Sequence, residues 1–242
     1  SVTGQEVLAE HFPAGATQPT TVVTREGDAG AMEQAVSGIE GVQDVVPGAG
    51  GDGYAVLSLT LDADPASDAA FATIDQVRAA ASDVDPDALV GGPDAEALDS
   101  SDAAARDRLL IIPLVLLVVL LVLLVLLRSV VAAVVLVLTV VATYVAALGA
   151  GWLVFDLVLG FPALDLTVPL LSFLFLVALG VDYNIFLATR AKEEAEEGAD
   201  PRAAISVALA VTGGVITSAG VLLAAVFTVL GVLPLITLTQ IG

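Results

Sequence analysis

The sequence predicts a small soluble α+β domain followed by an all-α bundle of transmembrane helices. Of the 242 residues, 57% are hydrophobic, more than an ordinary soluble protein carries, yet the formal net charge is −20. Residues 1–108 hold 20 acidic and 4 basic side chains, whereas residues 109–242 hold 8 and 4. The charge and the hydrophobicity therefore belong to different regions, an acidic soluble domain and a membrane domain.

The first region predicts short strands and two helices. Runs rich in β-branched residues or with alternating polarity predict strands, and Ala-rich runs with apolar residues three and four apart predict helices. In chain order we predict a strand at 20–25, a helix at 28–39, strands at 41–47 and 54–62, a helix at 64–82 and a strand at 87–92. The order βαββαβ is that of the ferredoxin-like plan, in which two helices cover one face of an antiparallel sheet. We assign residues 1–92 to this domain and residues 93–108 to a linker.

The second region contains four apolar runs that can each cross a hydrocarbon core about 30 Å thick at 1.5 Å per residue. They occupy 109–127, 130–155, 166–189 and 203–230, and the start of a fifth lies near 235, so that 109–242 is the transmembrane domain. The chain lacks an initial Met and stops within an apolar stretch. We therefore expect it to be a fragment of a longer polypeptide.

Basic residues are unevenly distributed between the spans. Arg128 lies between the first two spans, and Arg190, Lys192 and Arg202 lie between the third and the fourth, whereas 156–165 has no basic residue. Because cytoplasmic loops are rich in Lys and Arg, the loops that carry these four residues are predicted to be cytoplasmic. The N-terminal domain is then extracytoplasmic, and we expect a multi-pass protein of the plasma membrane.

The composition argues against several classes of function. The chain has no Cys and one His, His11, so a thiol nucleophile, a Ser-His pair and a histidine-based metal cluster are not supported. We interpret His11 as a surface residue and expect no enzyme, no cofactor, no metal and no nucleic-acid partner. The acidic excess fits a halophilic organism, and GC-rich codon usage accounts for it equally well.

One carboxylate interrupts the third span. A charged Asp182 at membrane depth costs at least ~2.5 kcal/mol, so it is expected to face protein or water and to serve as a proton site. Tyr183 and Asn184 follow it, and Tyr183 points about 100° away around the helix. The alternative is that these three residues only join helices through hydrogen bonds worth about 1 kcal/mol each. That alternative is favoured for Asn184 but not for Asp182, since a neutral side chain would join helices without the cost of burial.

The fourth span offers polar and small residues that can lie beside Asp182. The hydroxyl groups of Thr212, Thr217 and Ser218 are candidate hydrogen-bond partners for the carboxyl group. Small residues let helix backbones approach closely, and we assign this packing role to four glycines. They are Gly180 on the third span and Gly213, Gly214 and Gly220 on the fourth.

These motifs resemble a known transporter family. The runs "LGVDYNIFLATR", "GADPRAAI", "AVTGGVITSAGVLLAAVF" and "LPLITLTQIG" are similar to the C-terminal half of an MMPL-type transporter of the resistance-nodulation-division superfamily. The resemblance implies a proton-driven exporter of lipids or other hydrophobic compounds, with a porter-type subdomain outside the membrane. It also implies that Asp182 binds and releases the proton and that Tyr183 pairs with the aspartate of the other half.

The resemblance leaves the partner of Asp182 open, because this sequence has no second Asp-Tyr helix. A missing N-terminal half or a second copy of the chain is expected to supply it, with protons, membrane lipids and a hydrophobic substrate as the other partners. Two alternative functions remain: a protein-secretion motor subunit of the same superfamily, and a membrane-anchored binding or scaffold module that transports nothing. The replacement Asp182→Asn discriminates between transport and a scaffold.

Overall fold

The computed structural model describes residues 19–161, 163–198 and 200–242. The chain divides into two units, one that ends at Ala103 and one that spans Ala104–Gly242. His11, together with the rest of residues 1–18 of the predicted N-terminal domain, lies outside the described residues.

The first unit is built on an antiparallel sheet of four strands in the order β2-β3-β1-β4. The strands are β1 (Thr20–Arg25), β2 (Val42–Pro47), β3 (Tyr54–Leu61) and β4 (Leu89–Gly91). Helix α1 (Ala29–Ser37) follows β1, and helix α2 (Asp68–Val84) follows β3. The element order predicted from the sequence is therefore the observed one.

Both helices bury apolar side chains against the sheet. Strand β1 alternates buried and half-buried residues, as expected for a strand with one covered face. Its Val22 packs in one cluster with Met32 and Val36 of α1 and Val77 of α2, all of them fully buried. Ser67 fixes the start of α2, because its side chain accepts a hydrogen bond from the backbone N–H of Ala70.

Residues 93–108, which the sequence suggested to be a linker, are helical. They form the first part of α3 (Pro93–Leu127), a helix of 35 residues that runs into the first apolar span. Within the first unit, Ala95 and Leu98 of this helix are buried beside Leu61 and Ile74. The segment is rich in Ala and has acidic residues in its first turn, which favours a helix although its surface is polar.

The second unit is helical. After α3 come α4 (Val130–Val154), a π-helical segment (Phe155–Leu159), α5 (Val168–Glu196), α6 (Pro201–Gly231) and the short α7 (Ile236–Ile241). In the described residues, four helices, α3 to α6, are long and apolar enough to cross a membrane. The prediction of an N-terminal α+β unit followed by a helical region with four candidate spans is confirmed. Ser129 caps α4 and Asp200 caps α6, so the polar residues between the spans end one helix and begin the next.

Candidate functional site

Helix α5 has two opposite faces. Phe173, Val177 and Val181 form a buried stripe that packs against α3 and α4. The residues exposed on the other side recur at helical spacing. They are Leu171, Phe175, Ala178, Asp182 and Phe186. Asp182 is the one ionisable member of this exposed stripe.

Asp182 lies at the middle of α5. It is 14 residues from Val168 and 14 from Glu196, or about 21 Å from either end at 1.5 Å per residue. Its neighbours on the exposed stripe are large apolar side chains, Phe175 at 47% and Phe186 at 48% exposure. The carboxylate therefore lies inside the apolar part of a candidate span, eight residues before Arg190, on a face that these helices leave open.

Tyr183 and Asn184 point in a different direction from Asp182. Both line an open cavity of about 700 Å³ between α4, α5, α6 and α7. The other polar groups of its lining include Thr139 and Thr143 of α4. Adjacent residues on a helix are about 100° apart, so one residue of the Asp-Tyr pair can face outward while the other faces this cavity.

The hydroxyl groups predicted beside Asp182 are engaged elsewhere or exposed. Thr212 donates to the backbone oxygen of Ala208 (2.8 Å), and Ser218 donates to that of Val215 (3.0 Å), both within α6. Thr217 is exposed. In the part of the chain that the structure describes, no hydrogen bond joins these three residues to Asp182.

The glycines assigned to helix packing lie beside open space. A Cβ atom placed on Gly180, Gly214 or Gly220 would meet no atom within 4 Å in the described structure, and one on Gly213 would meet the Cδ1 atom of Leu209 at 3.9 Å. Gly180 and Gly220 line the cavity. A role in close helix packing stays a prediction for all four.

The structure also reveals a polar cluster that the sequence interpretation missed, in the connection before α5. The Asp165 carboxylate accepts hydrogen bonds from the backbone N–H and the hydroxyl of Thr167 (2.9 and 2.6 Å) and from the hydroxyl of Thr237 (2.8 Å). The Thr167 hydroxyl contributes most to holding the pKa of Asp165 below its ordinary value. Gln240 is buried beside it. The signal available in the sequence was Gln240 itself, a polar residue in an apolar run.

The described residues contain no group of three or more His, Cys, Asp or Glu side chains that could hold a metal ion. The arrangement places a single carboxyl group among apolar side chains, and its role in proton binding stays a prediction. Such a group changes the charge of the helix face when it gains or loses a proton.

Comparison with known proteins decides the family. The model of the MMPL family matches residues 1–242. The chain belongs to the MMPL family. A membrane protein of Streptomyces coelicolor is 46% identical to this MMPL chain over 255 residues, covering 100% of the chain and 36% of the relative.

Two further MMPL relatives are named as exporters. The apo-petrobactin exporter of Bacillus anthracis is 35% identical over 99% of the chain and 34% of its own length. The sulfolipid-1 exporter MmpL8 of Mycobacterium tuberculosis is 38% identical over 72% of the chain and 16% of its own length. This MMPL chain thus spans about a third of the length of the relatives that it matches throughout.

Proposed function

We propose that this chain is one part, the C-terminal half, of a membrane exporter that uses the proton-motive force to move lipids or other hydrophobic compounds. The observation that carries the proposal is Asp182, a carboxylate within the apolar part of α5 and exposed on its open face. Membership of the MMPL family and the exporter names of two relatives support the same function.

The open face of α5 supports a partner outside this chain. A carboxylate among apolar side chains is stable in a membrane when protein or water compensates its charge. We infer that a helix from the rest of the parent protein, or from a second copy, covers the exposed stripe and brings polar groups to Asp182. Tyr183, which lines the cavity beside this face, would complete a proton relay with that helix.

Proton binding at Asp182 would then drive a change of helix packing. Protonation removes the charge, so the apolar surroundings favour one arrangement of the two halves, and release of the proton favours the other. One charge that falls through 100 mV yields about 2.3 kcal/mol, enough to shift such an equilibrium by about fiftyfold.

The topology belongs to the same proposal. The loops at 128 and 190–202 would lie in the cytoplasm of a plasma-membrane protein, and the N-terminal unit would lie outside. The element order and the sheet order β2-β3-β1-β4 support the assignment of that unit to the ferredoxin-like, porter-type subdomains.

The test is Asp182→Asn in the parent protein. Cells that express it would be loaded with the hydrophobic dye Nile red, and efflux would be recorded with the proton gradient imposed and then collapsed. The exposed Asp156, in the π-helical segment that follows α4, provides a matched control, Asp156→Asn. We expect Asp182→Asn to reduce gradient-dependent efflux at least about tenfold, and Asp156→Asn to leave it near the wild-type rate.

Two results would contradict the proposal. Gradient-dependent efflux that persists in Asp182→Asn, at matched membrane insertion, would leave Asp182 as a structural residue that joins helices. Efflux that never responds to the gradient in the wild type would favour a scaffold or a different energy source.

A further inference from the structure

The outer end of α5 is held by side chains from three other helices. Arg108 of α3 donates to the backbone oxygen of Leu166 (3.2 Å), and the Tyr144 hydroxyl of α4 donates to that of Pro169 (2.8 Å). From α7, Thr237 and Gln240 bind the connection that leads into α5. Contacts from α3, α4 and α7 thus converge on residues 163–169.

Gln240 makes the most specific of these contacts. Its Oε1 atom accepts a hydrogen bond from the backbone N–H of Asp165 (2.7 Å), and its Nε2 atom donates to the backbone oxygen of Ala163 (3.0 Å). The side chain is 5% exposed. The oxygen and the nitrogen of the buried amide thus both form hydrogen bonds with the same short backbone segment. This pair of bonds fixes the position and direction of that segment, because loss of either bond leaves a buried polar group unpaired.

The carboxylate of Asp165 makes a second contact between α7 and the segment that leads into α5. It accepts a hydrogen bond from the Thr237 hydroxyl of α7. It also accepts from the backbone N–H and the hydroxyl of Thr167, the residue before α5. We call Asp165, Thr237 and Gln240 the outer latch. It joins α7 to the first residue of α5, since the backbone N–H of Val168 donates to the backbone oxygen of Asp165 (3.1 Å).

The latch holds the start of the helix that carries Asp182. From Val168 to Asp182 is 14 residues, about 21 Å of unbroken α-helix. A helix of this length transmits a displacement of its end to its middle, whereas the open face around Asp182 offers few contacts of its own to oppose it. The latch at the start of α5, together with the buried stripe of Phe173, Val177 and Val181, therefore sets the position of the carboxylate.

We propose that Asp165, Thr237 and Gln240 are positioning residues for Asp182: the latch holds α5 at the place where Asp182 meets the groups that compensate its charge. This inference rests on the proposed function. Breaking the latch lets α5 move away from those groups, so the neutral form of Asp182 gains over the charged form.

Few other groups can account for such a change. Within the apolar parts of the described spans, the ionisable side chains are Asp182 and Tyr183 on α5 and Tyr144 on α4. The C-terminal end of α5 carries Arg190, Lys192, Glu193, Glu194 and Glu196. The apolar part of α3 (109–127), residues 203–231 of α6 and the whole of α7 contain no ionisable side chain. The charged groups at the end where the latch lies are Arg106, Asp107 and Arg108 of α3, Asp156 after α4, and Asp165.

The test uses the parent protein in membranes and two readouts. The first readout is the rate at which dicyclohexylcarbodiimide modifies Asp182, measured by mass spectrometry of the peptide that contains it. The rate is recorded from pH 5 to pH 9, roughly two units on either side of neutrality. This reagent attacks protonated carboxyl groups in apolar surroundings, so the midpoint of the profile reports the proton affinity of Asp182 whether or not the protein transports. The second readout is the pH profile of Nile red efflux.

The principal variant is Gln240→Leu, which keeps the approximate volume and removes both amide contacts. The control is Thr239→Val on the same short helix, because in the described residues the Thr239 hydroxyl donates only to the nearby backbone oxygens of Leu233 and Leu235, just before that helix. We expect Gln240→Leu to move the midpoint upward by at least about half a pH unit, a threefold change in proton affinity, and Thr239→Val to leave it in place.

A milder variant keeps the test decisive if Gln240→Leu does not insert. Thr237→Val removes one hydrogen bond to Asp165 with little change of shape, and we expect a smaller shift in the same direction. An unchanged midpoint in an inserted latch variant, or an equal shift in Thr239→Val, would overturn the inference. A wild-type efflux that ignores the proton gradient would instead refute the proposed function, while the carbodiimide midpoint would still decide on the latch.

Discussion

At the scale of single residues, a buried carboxylate holds the end of β1 in the N-terminal unit. Asp85 is 1% exposed and accepts hydrogen bonds from the backbone N–H of Arg25 (3.1 Å), the backbone N–H of Asp87 (3.1 Å) and the hydroxyl of Thr24 (3.0 Å). The backbone contact from Arg25 contributes most to holding the pKa of Asp85 below its ordinary value. The charged form therefore belongs to the folded state.

The sign of the resulting pH dependence follows directly. The pKa of Asp85 in the unfolded chain is close to 3.8 and its pKa in the folded chain is lower, so the folded state binds its proton less readily. The stabilisation is complete above pH 3.8 and is lost as the pH falls through the lower, folded pKa. We expect acid to lower the protection factors of the amide hydrogens in 20–25 and 85–91 first, and Asp85→Asn to lower them already at pH 7.

An exposed aspartate of the same unit provides the control for this prediction. Asp44 is exposed and its carboxylate accepts only from the backbone N–H of the next residue, Val45 (3.0 Å). Asp44→Asn should leave exchange in both segments at the wild-type rate. Equal protection of β1 in the wild type and in Asp85→Asn would show that the three hydrogen bonds do not stabilise the strand.

At the scale of elements, the first turns of α3 belong to the core of the N-terminal unit. Leu98 is 6% exposed and packs in the cluster of Leu61 and Ile74. Arg78 of α2 donates to both carboxylate oxygens of Asp99 (2.7 and 2.9 Å). Two forked hydrogen bonds and a buried leucine hold this part of the helix more firmly than a linker would be held.

Replacement of Leu98 tests this assignment. We expect Leu98→Ala to lower the free energy of unfolding of the N-terminal unit by about 2 kcal/mol or more, because the substitution removes buried methyl groups and leaves a cavity. Ser100→Ala, at an exposed position of the same helix, is the matched control. Hydrogen exchange over residues 93–103 measures the effect of each variant. Equal exchange in the two variants would support the interpretation of this segment as a linker.

The elements also show what the sequence can and cannot determine. The strands and helices of the N-terminal unit follow from local patterns, and observed bounds such as Tyr54–Leu61 differ little from the predicted 54–62. The helical state of 93–108 was missed because its buried face consists of few side chains, Ala95 and Leu98 among them, in a polar segment. Gln240 binds backbone that is 75 and 77 residues away, a pairing that no local pattern encodes. Asp182 was singled out from the sequence because a carboxylate in an apolar span is costly, and its role as a proton site stays a prediction.

At the scale of the whole molecule, the distribution of basic residues supports the proposed orientation of the chain in the membrane. Successive connections alternate between the two ends of the spans. The connection with Arg128 and the one from Arg190 to Arg202 therefore lie at the same end, and 156–165 lies at the opposite end. The acidic excess of the N-terminal region does not oppose this orientation, because acidic residues contribute little to the rule that places Lys and Arg in the cytoplasm.

Labelling of single cysteines tests the orientation, and the absence of Cys from this sequence makes it a clean background. In a parent protein without other cysteines, Glu40→Cys in the N-terminal unit and Glu197→Cys after α5 would both place the thiol at an exposed position. We expect a membrane-impermeant maleimide to label Glu40→Cys in intact cells and to label Glu197→Cys only after the membrane is opened. The reverse pattern would place the N-terminal unit in the cytoplasm. The outer latch would then lie on the cytoplasmic side, and Asp182 would be loaded with protons from the opposite compartment.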